Sequence, residues 1–589
     1  MVPFKFILTE LAVFNQNLTR PNRMKTAVLS CFLCLVSGMA GAQELEGIGK
    51  QKPFVLHGSI GASTTYFTSN EIVASRPPWS WNLYGNLNPT IYGISMPVSF
   101  VINQYGKSYT QPFGQFGISP TYKWARLHLG YRTIQMSPMV FEGQSFRGVG
   151  VELNPKLLRF AAFYGKLNRR VNEDTTSGQF SQPQFSRLGY GVKLGVGNQK
   201  HYIDLLYFHA KDDSTSAEVI SKDRYLSLEN SVIGLSFKTT LLQDKITWTG
   251  DLATSANTED LASPELDSIP NGIAEKIFSK LMPFRTSTRI TYSGQTAVSV
   301  ALKNYTGTLG YRRIAPGYKS LGTPYMINDI ELVNWMNNLN LSQGKLNINT
   351  SISNQHNNLK KDLASQMNTF VGNLNVNAIL TDKFNLNFNY SGYLLNQDDG
   401  TIKLTDSVRL AQQIHQFSLA PSYTIYNTLY SHTISTNINY MLLNDDNVVT
   451  SPFTSSNNLS TSLNYTLGLV SKGMNFSVTG LYNQFKQDTN RYTSYGANLG
   501  TSAQFLKQKN LGVQATVGYI LNESSLGDAQ SNITFSGSVN YRFKKHSLNA
   551  YGNYVYTPYN PINDVVARAL RQVVASKNFF GGISYNYSF

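Results

Sequence analysis

Most of this chain has no cysteine. The 2 it contains, Cys31 and Cys34, both fall in an apolar stretch near the amino end. An exported product trimmed behind that stretch would be held by its hydrogen-bonded framework and not by disulfides. Long apolar runs are missing as well: nowhere do about 18 such residues follow one another, the length a helix needs to cross a bilayer, which excludes a helical membrane protein. Acidic residues are few, 34 against 50 Lys and Arg, giving a formal charge of +16. The 8 histidines are scattered singly, with none paired at metal-ligand spacing. His415 with Ser418 or His356 comes nearest to a catalytic set, and it is too loose to carry one. The expectation is no enzyme, no metal and no cofactor.

What is abundant is alternation. In "FNLNFNYSGYLL", Phe384, Leu386, Phe388 and Tyr390 fall on one side of an extended chain and Asn385, Asn387 and Asn389 on the other. A soluble sandwich would turn the apolar side to a second sheet. A membrane barrel would turn it to lipid and line a wet interior with the asparagines. Aromatics at 12%, with 35 Tyr and 32 Phe, suit strands better than helices.

The amino end reads as an export signal. Met24-Lys25 is followed by an apolar stretch from Ala27 to Val36 and then Ala40-Gly41-Ala42, which predicts cleavage after Ala42. Met24 is then the expected start, and residues 1–42 form an extension plus signal peptide. A lipoprotein signal fits less well, because Val28-Leu29-Ser30-Cys31 comes too early in the apolar stretch. The first 42 residues carry a net +3, leaving +13 behind them. For an exported chain this charge points to anionic lipid, an anionic solute or an acidic partner, and not to nucleic acid.

Alternating segments then recur from Phe54 to Phe589 without a shift of composition. Tight polar connections occur at Lys123-Trp124-Ala125-Arg126, Asn154-Pro155-Lys156, Gly197-Asn198-Gln199, Gln243-Asp244-Lys245, Ser342-Gln343-Gly344, Thr381-Asp382-Lys383, Tyr426-Asn427-Thr428, Ser471-Lys472-Gly473, Gln508-Lys509-Asn510 and Phe543-Lys544-Lys545. Longer ones lie between, such as 168–185, 211–230, 255–283, 307–331, 396–412 and 558–576. Short turns on one rim and long loops on the other are the pattern of a bacterial outer-membrane barrel, and the segments number about 26. An even count places both ends on the periplasmic rim. Trp79 to Asn103 is read as two strands turning at Asn88-Pro89.

The final "GGISYNYSF" sets Ile583, Tyr585, Tyr587 and Phe589 on one face. It resembles the carboxy-terminal recognition strand of bacterial outer-membrane barrels, with alternating aromatics closed by Phe. The Asn- and Tyr-rich strands and "YRRIAPGYKSLGTPYMIND" are similar to large barrels of Bacteroidota. The resemblance implies an all-β transmembrane antiparallel barrel over 54–589 in a bacterial outer membrane. It also implies contact with outer-membrane lipid and with the barrel assembly machinery during biogenesis. Gln43 to Pro53 is a short periplasmic lead, so neither a plug nor a periplasmic domain is expected.

Three features are candidates for function. Lys123, Arg126, Lys156, Arg159, Lys200, Lys245, Lys345, Lys383, Lys472, Lys509, Lys544 and Lys545 make a basic short-turn rim, suited to phospholipid headgroups or an acidic periplasmic partner. Helical spacing in Ile273 to Met282 (Ile273, Ile277, Phe278, Leu281) and in Asp564 to Lys577 (Val566, Leu570, Val573) suggests outer-loop helices that close over the lumen or dock a surface protein. The connection 307–331 brings Arg312, Arg313 and Lys319 together as a candidate lumen constriction for anions. Paired acids Asp212-Asp213, Asp398-Asp399 and Asp445-Asp446 read as solvated loop tips. Two functions follow as expectations: a subunit of an outer-membrane complex for protein export, barrel assembly or nutrient capture, or a passive or loop-gated channel for small hydrophilic, preferentially anionic solutes.

Overall fold

The computed structural model describes residues 52–70, 78–92, 94–104, 115–173, 183–219, 224–269, 271–405, 407–525, 527–558 and 575–589. The chain forms two compact units. In the smaller, 1–55 with 90–94, the amide of Tyr92 donates to the carbonyl of Pro53 at 3.3 Å. The larger, 56–89 with 95–589, is a closed antiparallel β-barrel.

Each strand pairs with its sequence neighbours, and the last, Ser576–Ser588, closes on the first, Phe54–Ser69, in register from Ser59↔Ser588 to Ser69↔Asn578. Two strands are interrupted. Ile94–Ser95 and Val98–Asn103 are separated by Pro97, and Gln115–Ile118 and Thr121–Tyr122 by Pro120. Proline has no N–H to give a ladder, but its carbonyl still accepts: Pro97 takes the Ser119 amide at 2.9 Å and Pro120 that of Leu127 at 2.8 Å. With each interrupted pair taken as one, the 28 segments make 26 strands, the expected number. Residues 79–103 do form two strands, paired through Leu87↔Val98, although the first continues past Asn88-Pro89 to Ile91.

All ten expected tight turns lie on one rim, and left-handed backbone at Lys123, Lys156, Gln343, Lys509 and Lys544 (φ 50–57°) lets several of them close quickly. The opposite rim is less uniform than expected. Its connections are long between strands of the first half and shorter over most of the second, down to 488–489 and 525–526, while the last, 558–575, is again long. The acid pairs are mostly not loop tips: Asp212, Asp213, Asp398, Asp399 and Asp445 belong to strand ends, whereas Asp446 lies exposed in the connection that follows.

Side-chain alternation assigns the faces. Ile203, Leu205, Leu252, Leu309, Leu499, Val517 and Ile583 are exposed and point outward, where only lipid can cover such a belt. Phe384, Leu386, Phe388 and Tyr390 share that outward face, opposite Tyr423, Pro421, Leu419 and Phe417 of the next strand. The chain is a transmembrane barrel of the bacterial outer-membrane type.

Candidate functional site in the lumen

The barrel interior is built from two unlike halves. In the half from 125 to 330, two connections fold inward and pack on the wall. The first, 133–145, brings Ile134, Met136, Met139, Val140 and Phe141; the second, 315–329, brings Tyr318 and Leu321. They meet lumen-facing Phe146, Ala161, Phe163, Leu206, Phe208, Val232 and Ala253 in one buried cluster. Phe141 lies 4.3 Å from Phe163 and 5.5 Å from Phe208 between ring centroids. The wall is pared down beneath the first segment: a Cβ at Gly234 would overlap Val140, and one at Gly150 would come within 2.8 Å of the Ile134 Cδ1.

Hydrogen bonds fix these segments to each other and to the wall. The Tyr318 hydroxyl donates to the Met139 carbonyl and the Ser320 hydroxyl to that of Val140, both at 2.6 Å. Asn230 and Ser255, from two wall strands, donate to the Lys319 carbonyl at 3.1 and 2.6 Å, and the Leu321 amide donates back to Asn230 Oδ1 at 3.1 Å. Ser137 donates to Asp251 at 2.9 Å. Burial raises the Tyr318 hydroxyl pKa, keeping it a donor.

Charge is concentrated in this half. Arg159 holds Asp204 through two bonds of 2.7 and 2.9 Å, and Arg187 holds Asp212 at 2.7 and 3.0 Å. Both carboxylates face the lumen side of the wall and are almost fully enclosed. Such fork-shaped pairs satisfy the acid while leaving the guanidinium edge for an anion. Lys193 and Arg312 share this inward face.

From the strand Tyr305–Ile314 on through the other half, successive strands present one row across the lumen: Thr306, Asn338, Asn349, Asn375, Asn389, Ser418, Asn439, Ser460, Asn483, Ser494, Asn522 and Gln530, each opposite the next. No member is charged. Several neighbouring amides and hydroxyls satisfy one another, as in Asn349 to Asn347 at 2.6 Å, Asn464 to Thr479 at 2.6 Å and Ser494 to Asn522 at 2.7 Å.

The expected constriction residues separate. Arg312 and Arg313 are not in a loop: both belong to the strand Tyr305–Ile314, and adjacent strand residues face opposite ways. Arg312 points inward and donates to Gln295 Oε1 at 2.9 Å; Gln295 donates in turn to Asp251 at 2.9 Å. Arg313 points outward and pairs with Glu331. Lys319 does lie in the in-folded segment and reaches water. Desolvation at the wall, then the Arg187 guanidinium, hold its ammonium pKa below the ordinary lysine value, against the pull of Glu259 and Asp212.

The helix expected from Ile273 forms over Ile273–Phe278, but it does not cover the lumen. Phe278, Met282 and Phe284 pack on Ile233, Ala256 and Ile290, which belong to the outward face of the wall, and Ile273 is left 82% exposed. Val566, Leu570 and Val573 lie outside the described residues. Tyr585 and Tyr587 point outward in the closing strand, and the Phe589 amide donates to the Gly58 carbonyl at 2.9 Å. Of the basic rim, Arg126 and Arg159 turn inward to Glu152 and Asp204, and Lys200 pairs with Asp244 at 2.5 Å. His415 accepts or donates at 2.9 Å to the Tyr390 hydroxyl on the outward face, while Ser418 is in the lumen row, so these two do not meet. The segment 133–145 was not foreseen, although its apolar run "IQMSPMVF" between two strands is more than a solvated outer loop would hold.

No family model matches the chain, and no curated protein matches it. Among solved structures it is similar to Acinetobacter baumannii OccAB2, at 10% identity over 62% of this chain and 93% of that one, with a TM-score of 0.30. It is similar also to BauA, the ferric preacinetobactin receptor of Acinetobacter baumannii, at 9% identity over 90% and 81% with a TM-score of 0.32. A third is the translocation pore of the P pilus usher PapC, at 10% over 91% and 99% with a TM-score of 0.25.

Proposed function

We propose that the chain is a loop-narrowed channel for small hydrophilic solutes, with a modest preference for anions. The observation that carries this reading is the unbroken lumen row of uncharged amides and hydroxyls facing a wall onto which two connections fold. A polar row of that extent is sustained by water or by polar solute, and the in-folded segments narrow the route from one side only. Arg312, Lys193 and Lys319 border the same route and bias it towards anions. Outer-membrane lipid and the assembly machinery are the expected partners, with Tyr585, Tyr587 and Phe589 as the strand that machinery reads. No catalytic role is assigned.

The purified full chain in a planar bilayer should give discrete conductance steps with weak anion selectivity, and in liposomes should pass neutral sugars. Absence of both sinks the channel. One observation favours membership of a larger outer-membrane complex instead: the helix leaves Ile273 and Ile277 exposed. A stoichiometric protein partner that survives high salt during gentle-detergent purification would support that role, and loss of every such partner would remove it.

A further inference from the structure

Arg147 and Lys166 stand directly opposite each other on adjacent strands. Both point outward, one row above Val149 and Tyr164 in the lipid-facing belt, at the long-loop rim. Like charges facing across a ladder repel, so such a pair is costly unless something negative bridges it. Along the same outward row Lys211 has its answer in Glu229 at 3.0 Å. Among the described residues Arg147 and Lys166 have no ion-pair partner; Arg147 instead lies over the Tyr131 ring, 5.9 Å from its centroid.

The two cations border a cavity of about 560 Å³ at the long-loop rim, lined also by Arg169 and Arg170 and closed on its inner side by Gln144 and Tyr325 of the in-folded connections. Among the described residues its one acid is Asp213, which accepts from the Thr215 amide at 3.1 Å and the Thr215 hydroxyl at 2.8 Å and offsets part of the Lys166 charge, leaving the lining net cationic. Ser186 and Thr215 add polar groups to the lining. A dense cationic lining with hydroxyls suits a phosphate, whose oxygens accept several charge-assisted bonds at once. The volume leaves space for a sugar beside it. Arg147 and Lys166 stand on the outward face one row above Tyr164, so a phosphate held between them would lie at headgroup depth in the outer leaflet.

We propose that Arg147 and Lys166, with this cavity, bind the phosphate of an outer-leaflet glycolipid headgroup. The full barrel in detergent is titrated with bisphosphorylated lipid A, with the same lipid after enzymatic removal of its phosphates, and with inorganic phosphate, and bound lipid is counted by native mass spectrometry. A second outward pair, Lys486 opposite Arg491, lies at the same rim and outside the cavity. The R147Q/K166Q protein should lose affinity for the phosphorylated lipid by about tenfold or more. K486Q/R491Q should lose little, and phosphate-free lipid should bind wild type weakly. Should the first double change prevent assembly, Lys166→Gln alone should lose about threefold. Equal binding by wild type and R147Q/K166Q overturns the site. Equal losses in both double variants reduce it to general rim charge. Binding of inorganic phosphate as tightly as lipid overturns the lipid and leaves a free-phosphate site.

Discussion

The half of the barrel from 125 to 330 and the half from 346 to 588 use the same strand geometry to opposite ends. In the first, the inner face carries Phe163, Phe208 and Val232 beside Arg159, Asp204, Arg187 and Asp212, and the connections at its outer rim are long enough to fold back onto them. In the second, the inner face is amides and hydroxyls, with Asp399, Asp445 and Arg542 near strand ends, and the outer connections between 357 and 526 are short, down to 488–489 and 525–526, before the long 558–575. The difference is one of what covers the wall. An apolar or ion-paired inner face is stable only under protein, whereas an uncharged polar face is content under water. The two connections that do fold inward, 133–145 and 315–329, lie over the apolar wall.

Removing the cover should therefore have the largest consequence. Phe141 is fully buried at the centre of the in-folded cluster, and Phe141→Ala should cost about 3–5 kcal/mol of local packing. That is enough to release 133–145 into the lumen water. Single-channel conductance is expected to become larger or noisier by severalfold; an unchanged step in a well-assembled barrel would mean that the segment does not narrow the route.

Ion pairs sharpen the same contrast. Asp204 is 2% exposed, and Arg159→Ala leaves its carboxylate buried without its fork, at a cost of about 3–5 kcal/mol. Asn389→Ala in the opposite half should cost less than about 1 kcal/mol, because water replaces the amide. The temperature at which the folded band is lost on unheated gels would rank the two. Equal shifts would dissolve the distinction between the halves.

Selectivity is the next test. Arg312→Glu reverses a charge within the lined half, and Asn389→Asp introduces one into a row that has none. Each should lower the anion-to-cation permeability ratio on the order of twofold, read from reversal potentials in a salt gradient. A response at Arg312 alone would confine the permeation route to the charged wall.

The barrel itself was legible because its signal is local: period-two alternation, turn residues and an even strand count need no knowledge of distant contacts. The Asn-rich face of Phe384–Asp399 could be assigned from twelve letters. What failed was long-range. Arg312 and Arg313 read as cations of the connection 307–331, yet backbone pairing to Gln295 and Glu331 keeps them in the strand Tyr305–Ile314 and splits them between faces. The helix Ile273–Phe278 had the right period, but the sequence does not say whether its apolar side finds the lumen or the outer wall. Nor does it say that "IQMSPMVF" finds Gly234 and Gly150 waiting for it.

Lys319 gives the smallest effect, because it is a single charge that already reaches water from the covered half. It sits in the in-folded segment with its carbonyl tied to Asn230 and Ser255, and its pKa is lowered first by desolvation and then by Arg187. A lysine is cationic below its pKa, so this one loses its charge at a lower pH than the ordinary 10.5. Anion preference should therefore begin to decline on the acid side of that value. In Lys319→Gln the preference should start lower and stay flat over the same interval, and Lys319→Arg should hold it there, since a guanidinium does not titrate. For stability the sign is opposite. A lowered folded pKa means that the unfolded chain binds more protons between the two values, so stability rises with pH across that window and is unaffected in Lys319→Gln. Identical pH profiles in wild type and Lys319→Gln would remove Lys319 from the route and leave its backbone, not its charge, as the reason it lies there.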